Sequence, residues 1–259
     1  MSSLQVDIPD WQVPKRVKAF TTTVYSGVSD GVFSSLNLGD HVGDDPNLVL
    51  QNRALVKTDQ SLPSEPVWLK QVHSTDIVEL GKEALVLADG SLVSADGSSI
   101  TADGSYTRKL GAVCAIMTAD CMPLFLSTCS GDCVALLHAG WRGLADGIVE
   151  SGVEALGCPV DEIVAWAGPC IGPEAFEIGD EVRQQLGGSH KCYKLSPNSM
   201  QSEVKWLANL YQLTAERLAN IGVRHYSHSN ECTYSNERYF SYRRTGQCGR
   251  MASFIWIDE

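Results

Sequence analysis

Residues 118–143, TADCMPLFLSTCSGDCVALLHAGWRG, contain two apolar runs separated by a polar turn. The runs extend over Pro123–Ser127 and Cys133–His138, and the Ser-Gly-Asp sequence between them is typical of a turn. We therefore predict two short buried strands that pair as a hairpin. This pairing would bring Cys121, just before the first strand, close to His138 at the end of the second.

Cys121 and His138 allow two interpretations. A cysteine among apolar residues is most often a small buried hydrophobe, and a histidine at the end of a strand is most often a hydrogen-bonded structural residue. Both side chains are also metal ligands, but no zinc-finger spacing accompanies them. The Ala-Gly-Trp-Arg-Gly sequence after His138 has small residues where the backbone could approach a ligand closely. The residues alone leave both interpretations open.

The flanking sequence predicts strands and helices that alternate irregularly. Strand patterns occur at residues 17–25, 67–72, 110–117, 163–167, 223–227 and 251–257. Helix patterns occur at residues 46–57, 144–156, 180–187 and 205–221. Residues 188–204 are predicted to form a loop, and residues 95–97 and 102–104, both Ala-Asp-Gly, are predicted turns. The pattern indicates one α/β unit over residues 1–259 with mixed sheets.

The composition indicates a globular protein of the cytoplasm. The chain has 259 residues, of which 44% are hydrophobic and 8% aromatic, enough to bury a substantial core. A formal net charge of -11 argues against a nucleic-acid-binding surface, and no apolar run approaches the about 20 residues of a membrane helix. Nine scattered cysteines without a signal peptide predict reduced thiols and a cytoplasmic location.

Five phrases, in order along the chain, resemble the YfiH or laccase-domain family. They are KQVHST (70–75), TADCMPLFLS (118–127), LLHAGWRG (136–143), AGPCIGPEAFEIGDEV (167–182) and GRMASFIWI (249–257). Members of this family are described as multicopper polyphenol oxidase-like proteins and as purine nucleoside phosphorylases. The resemblance extends from about Asn37 to the C-terminus. It implies a four-layer α/β/β/α sandwich with mixed sheets.

The resemblance also implies a metal site formed by His73, Cys121 and His138. Three protein ligands leave a fourth position open, as in catalytic zinc sites, although a thiolate with imidazoles also suits copper. The implied activity is phosphorolysis of a purine nucleoside such as adenosine, inosine or methylthioadenosine, with adenosine deamination as a further activity. A deaminase needs a carboxylate for proton transfer, and Asp120 is the nearest candidate in the sequence.

Binding of the phosphate co-substrate requires cations. The candidates are Arg53, Arg142, Arg243 and Arg244. Arg142 is preferred because it follows His138 by four residues across a glycine-bracketed turn. Asn37 belongs to an Asn-Leu-Gly signature of the family, and it is predicted either to contact the substrate or to shape a turn. We expect the protein to act as a monomer or homodimer.

Other functions fit the same residues. Cys121 with His138 or His73 could be the nucleophile and base of a cysteine-dependent amidase or deamidase, with editing of cell-wall peptide precursors as a possible role. A metal could instead only stabilise the fold. Copper-dependent phenol oxidation ranks lowest, because none of the six histidines has the clustered His-x-His spacing of multicopper oxidases. Cys170, in a rigid Gly-Pro-rich turn, is a rival nucleophile without a histidine motif nearby in sequence.

Overall fold

The chain folds into two central β-sheets with helices on their outer faces. The computed structural model describes residues 3–81, 85–86, 92–93 and 101–259. The strands in these ranges are β1 (Val6–Asp7), β2 (Val17–Thr22), β3 (Val67–Trp68), β4 (Ile77–Glu79), β5 (Leu85–Val86), β6 (Leu92–Val93), β7 (Gly104–Thr107), β8 (Cys114–Thr118), β9 (Met122–Thr128), β10 (Val134–Ala139), β11 (Ile163–Ala167), β12 (Glu177–Gly179), β13 (Tyr193–Leu195), β14 (Lys205–Ala208), β15 (His225–His228) and β16 (Met251–Ile257). The α-helices in these ranges are α1 (Pro46–Asp59), α2 (Trp141–Asp146), α3 (Ile148–Leu156), α4 (Asp180–Leu186), α5 (Leu210–Asn220) and α6 (Tyr242–Thr245).

The hairpin predicted from residues 118–143 forms the centre of one of the two sheets. In the part of the chain that the structure describes, this sheet has the order β15-β11-β9-β10-β7-β4, and the second sheet has the order β1-β2-β16-β8-β3. β9 and β10 pair antiparallel, with His138 opposite Pro123. Most neighbours are antiparallel, but β3 with β8, β4 with β7 and β11 with β15 are parallel. Both sheets are therefore mixed, as predicted.

Alternation of side chains along the strands produces three apolar layers. Val134 and Leu136 of β10 pack with Ile116 of β8 between the two sheets. Leu137, on the opposite face of β10, packs in the layer that contains the apolar residues of α3 and α5. The outer face of the other sheet packs against α1 through Val56. The layers are therefore helix, sheet, sheet and helix, which confirms the α/β/β/α sandwich.

The start of α1 was predicted correctly, whereas two other helix boundaries were wrong. α1 begins at Pro46, and Asp45 caps it by accepting a hydrogen bond from the backbone of the first turn. The helix predicted at residues 144–156 is divided into α2 and α3, because Gly147 adopts a φ of 104° that ends α2.

The helix predicted from Lys205 begins instead at Leu210. Residues 205–208 form β14, which pairs with β12 on one side and β13 on the other. Asn209 then caps α5, since its side chain accepts a hydrogen bond from the backbone N–H of Gln212. The loop predicted at residues 188–204 is also wrong in part, because it contains β13. The turn predicted at residues 95–97 lies outside the described residues.

Among the described residues, none of the helices has the length and apolar character needed to cross a bilayer.

Candidate functional site

The β9–β10 hairpin and the loop after β3 bring three metal-capable side chains together. The ligand atoms of His73, Cys121 and His138 all lie within 4.8 Å of one another, and Cys121 Sγ is 3.9 Å from His73 Nε2. Two ligands of a tetrahedral zinc are separated by about 3.5 Å, given zinc–ligand bonds of about 2.0–2.3 Å. The donor set and its spacing therefore fit a three-ligand metal site after small movements of the side chains.

Gly140 provides the space in which these side chains converge. Met122 pairs with Ala139, so Cys121 and Gly140 follow as the next residues outward on the two strands. A Cβ atom on Gly140 would lie 2.8 Å from Cys121 Sγ and 3.1 Å from His73 Cδ2. Any side chain at this position would therefore displace two of the three ligands.

Asp103, directly before β7, contacts both histidine segments. Asp103 Oδ1 lies 2.7 Å from His138 Nδ1, and its Oδ2 accepts hydrogen bonds from the backbone N–H groups of Val72 and Ser74. A carboxylate can only accept, so Nδ1 of His138 carries the proton and Nε2 faces the cluster. Between the two bonded N–H groups, His73 adopts a left-handed φ of 63°, which is uncommon for a residue with a side chain.

The three ionisable groups at this site stabilise one another's charged forms. Burial opposes the charge on Cys121, but the adjacent His138 and His73 lower the pKa of its thiol to about 6. Burial likewise opposes protonation of His138, but the Cys121 and Asp103 charges raise the pKa of its imidazole to about 9. Hydrogen bonds from His138 and the 72–74 turn overcome the burial of Asp103 and lower its pKa to about 2. The lowered pKa favours the thiolate of Cys121, the form in which cysteine binds metals or acts as a nucleophile.

A cavity of about 460 Å³ opens beside the three ligands. This volume lies in the range of about 300–1,000 Å³ that is common for small-molecule sites. Its basic lining residues are His41, Arg142, Arg243 and Arg250. Its large apolar and aromatic lining residues are Met117, Trp141, Ile171, Phe176 and Tyr242. The cavity therefore combines surfaces suited to an anion and to a flat ring with the metal-capable cluster.

Three residues predicted for the site line this cavity in addition to the three metal-capable residues. Arg142 is exposed, with its guanidinium carbon 4.4 Å from the centre of the Trp141 ring. Arg243 is also exposed, and its guanidinium donates to the carbonyls of residues 175 and 177. The Asp120 carboxylate accepts from the Thr233 hydroxyl at 2.6 Å and from the backbone N–H of Arg243 at 2.7 Å.

Arg53, Arg244 and Asn37 have internal contacts instead and do not line the cavity. The Arg53 guanidinium stacks 4.0 Å from the Trp68 ring and donates to the Leu38 carbonyl. Arg244 donates to three loop carbonyls at 2.6–2.8 Å. The side-chain amide of Asn37 bonds to Gly39, Asp44 and the backbone of residue 250. These positions do not support the phosphate or substrate contacts predicted for the three residues.

The sequence analysis missed two polar residues that hold the site. The sequence predicts a turn at residues 102–104 and does not include Asp103 among the site residues, although this Ala-Asp-Gly phrase stands directly before β7. Gln71, two residues before His73, bonds to the backbone of Met117 in both directions, at 2.8 and 2.9 Å. Gln71 could have been identified from the sequence, because it lies within the KQVHST phrase.

Cys170 is a poor candidate for a nucleophile. Its side chain is fully buried, and burial raises the pKa of its thiol far above the ordinary value. A protonated thiol of this kind is inert, so Cys121 is the more reactive of the two cysteines.

Comparison with known proteins identifies the class to which this fold and site belong. A family model described as multi-copper polyphenol oxidoreductase laccase matches residues 18–258. The chain therefore belongs to this laccase-like family, which confirms the resemblance inferred from the five phrases.

Relatives with similar sequences carry a more specific name. A protein of Haemophilus influenzae named purine nucleoside phosphorylase is 42% identical over 258 residues, covering 98% of this chain and 100% of the relative. Purine nucleoside phosphorylase YfiH of Escherichia coli K12 is 44% identical over 253 residues, covering 96% of this chain and 98% of the relative.

Solved structures share the whole fold. A protein of Neisseria meningitidis superposes with a TM-score of 0.85 at 36% identity, and YlmD from Geobacillus stearothermophilus superposes with a TM-score of 0.80 at 30% identity. Both comparisons cover 100% of each chain.

Proposed function

We propose that this protein is a zinc-dependent purine nucleoside phosphorylase acting on nucleosides such as adenosine, inosine and methylthioadenosine. The observation that carries the proposal is the convergence of His73, Cys121 and His138 on the wall of a cavity with cationic and aromatic lining. The names of relatives that are 42% and 44% identical over nearly the whole chain support the substrate class.

Phosphorolysis requires that the protein hold phosphate next to the ribose. An oxygen of phosphate forms a bond to C1′ of the ribose while the bond from C1′ to the purine nitrogen breaks, so the phosphate must be held beside the sugar. Arg142 is the preferred cation, because it lines the cavity with its guanidinium over the Trp141 ring, where its N–H groups can meet a ligand. Arg243 contributes charge nearby, but the carbonyls of residues 175 and 177 use part of its donor capacity.

The remaining residues bind and orient the substrate. Phe176 and Tyr242 offer apolar rings that cover a purine and exclude water from the reacting bond. His73, Cys121 and His138 would hold a zinc ion, which would supply a Lewis acid beside the substrate. Asp120 lines the cavity and is held by Thr233 and by the backbone N–H of Arg243, a position that suits proton transfer in adenosine deamination.

The test is incubation of the purified, zinc-loaded protein with adenosine, with and without phosphate, and separation of the products by chromatography. We expect adenine and ribose 1-phosphate in phosphate buffer and no free base without phosphate. Inosine or its base would reveal deamination. Free base formed equally well in both buffers would contradict phosphorolysis.

A cysteine pair provides the matched control for this assay. We expect Cys121→Ser to lose bound zinc and to lower kcat/KM at least about 100-fold, since it removes a ligand at the reacting centre. Cys129→Ser changes an exposed thiol beyond the opposite end of β9 and should retain both zinc and activity. Elemental analysis of the same samples distinguishes zinc from copper.

A second candidate function is a cysteine-dependent amidase or deamidase, for example one that edits cell-wall peptide precursors. It is favoured by the Cys121 thiolate, which lies 3.9 Å from His73 Nε2 and is stabilised by His138. Under this mechanism, zinc-free protein would release ammonia or an amine from amides, and alkylation of Cys121 would abolish the activity. Zinc-dependent turnover of nucleosides with no turnover of amides would exclude it.

A further inference from the structure

We propose that Asp103 is a positioning residue that fixes both histidine ligands of the metal site, and that this role requires its negative charge. The inference rests on the proposed metal site, although it does not depend on which substrate is bound. Asp103 belongs neither to the three metal-capable ligands nor to the lining of the cavity. It acts through His73 and His138.

The contacts of Asp103 divide between its two carboxylate oxygens. Oδ2 accepts the backbone N–H groups of Val72 and Ser74, at 3.0 and 2.7 Å, which are the groups on either side of His73. Oδ1 accepts the Nδ1–H of His138 at 2.7 Å. One carboxylate therefore binds the ring of His138 and the backbone N–H groups of the two residues that flank His73.

The backbone of Asp103 holds this carboxylate in place. Its own N–H donates to the carbonyl of Asp76, and its carbonyl accepts the N–H of His138 at 2.7 Å. The side chain is fully buried, so water does not compete for the two oxygens. The carboxylate is consequently a fixed point to which both ligand segments are attached.

A negative charge suits this position for two reasons. Three N–H donors point at one small side chain, and among side chains of this size a carboxylate accepts all three without presenting a donor of its own. In addition, the left-handed φ of His73 turns the flanking N–H groups to the same side, which forms a small backbone concavity that favours an anion. Asp103 therefore stabilises the unusual turn that directs His73 into the site.

Asparagine at position 103 would offer only one acceptor oxygen. The ring N–H of His138 and the two backbone N–H groups that flank His73 would then compete for it. If the amide oxygen remains with Val72 and Ser74, the amide NH2 faces His138, whose Nδ1 must then accept, so the ring proton moves to Nε2 and blocks metal binding there. If the amide turns over, its NH2 opposes the two backbone donors and the turn at His73 loses its support. Either orientation impairs one ligand.

The experiment compares metal binding by wild type, Asp103→Asn and the control Asp161→Asn, which removes the same charge from an exposed position. Zinc affinity is measured by competition with a chromophoric chelator, and coordination is measured from the visible absorption of the Co2+-substituted proteins. We expect Asp103→Asn to weaken zinc binding about 10–100-fold and to alter the Co2+ bands. Asp161→Asn should match wild type in both measurements.

A purely structural role would lower the melting temperature of Asp103→Asn but leave zinc affinity and the Co2+ bands unchanged, and that result would overturn the proposal. If Asp103→Asn does not fold, long-range 1H–15N NMR of zinc-loaded wild type decides instead. We expect a proton on Nδ1 of His138 and zinc on Nε2, and the reverse arrangement would overturn the proposal. These measurements use no nucleoside, so failure of the phosphorolysis assay would leave this inference standing.

Discussion

Gly140 shows how the absence of a side chain determines the geometry of the site. The residue precedes α2 with an ordinary φ of -71°, so backbone conformation does not demand glycine there. Glycine is required instead for steric reasons, because the Cys121 thiol and the His73 ring occupy the space that a Cβ atom would fill.

We predict that Gly140→Ala weakens zinc binding by roughly 10-fold or more, because the added methyl group separates two ligands. Zinc affinity measured by chelator competition checks this. Gly143→Ala is the matched control three residues later, where a Cβ atom would meet its nearest neighbours at 3.4 Å. If Gly140→Ala binds zinc as tightly as Gly143→Ala, the structure accommodates the methyl group at position 140 without displacing the ligands, and the prediction is wrong.

At the scale of elements, α5 depends on the segment before β13. Glu216 of α5 accepts hydrogen bonds from both the backbone N–H and the hydroxyl of Ser189. The hydrogen bond from the Ser189 hydroxyl has the largest effect on the pKa of the Glu216 carboxyl group. Together with the hydrogen bond from the Ser189 backbone, it outweighs partial burial and lowers this pKa from 4.5 to about 2. Glu216 is therefore ionised in the folded protein at pH values where the unfolded chain binds a proton.

We predict a pH-dependent loss of stability for Glu216→Gln. Because the folded pKa is the lower one, the stabilisation is complete above about pH 4.5 and is lost as the pH falls towards about 2. The melting temperature of the variant should thus fall below that of wild type at pH 7, and the difference should shrink at pH 3. Glu154→Gln, at an exposed position of α3, is the control. A difference that grows on acidification would contradict the linkage.

For the whole molecule, the layer between the two sheets carries the site at one end. Leu136 of β10 is fully buried in this layer, and His138 lies two residues further on the same face of the strand. The position of the histidine ligand therefore depends on the packing of the two sheets.

We predict that Leu136→Ala lowers the free energy of unfolding by about 2–5 kcal/mol, since it leaves a cavity between two sheets that cannot collapse. Urea unfolding of the metal-free protein measures this. Leu195→Ala is the control, because Leu195 is 60% exposed and its truncation should cost less than about 0.5 kcal/mol. A loss below about 1 kcal/mol for Leu136→Ala would mean that this layer adapts to the missing side chain.

Local chemistry specifies several elements that can be predicted from the residues alone. The central hairpin follows from two apolar runs and the turn between them, and the start of α1 follows from the Asp45 cap with Pro46. The five phrases determined the family and the mixed sandwich. They also singled out His73, Cys121 and His138, which the structure brings together.

Features that depend on contacts between residues distant in the chain could not be predicted from local patterns. Residues 205–208 have a helical apolar pattern but form β14, because partners on both sides satisfy the backbone as a strand. The partner of a long side chain depends on which groups the fold places within its reach. Arg244 therefore binds loop carbonyls, whereas Arg142 lines the cavity. Asp103 is 30 residues from His73 and 35 residues from His138 in sequence, and the packing of β7 beside β10 places its carboxylate between them.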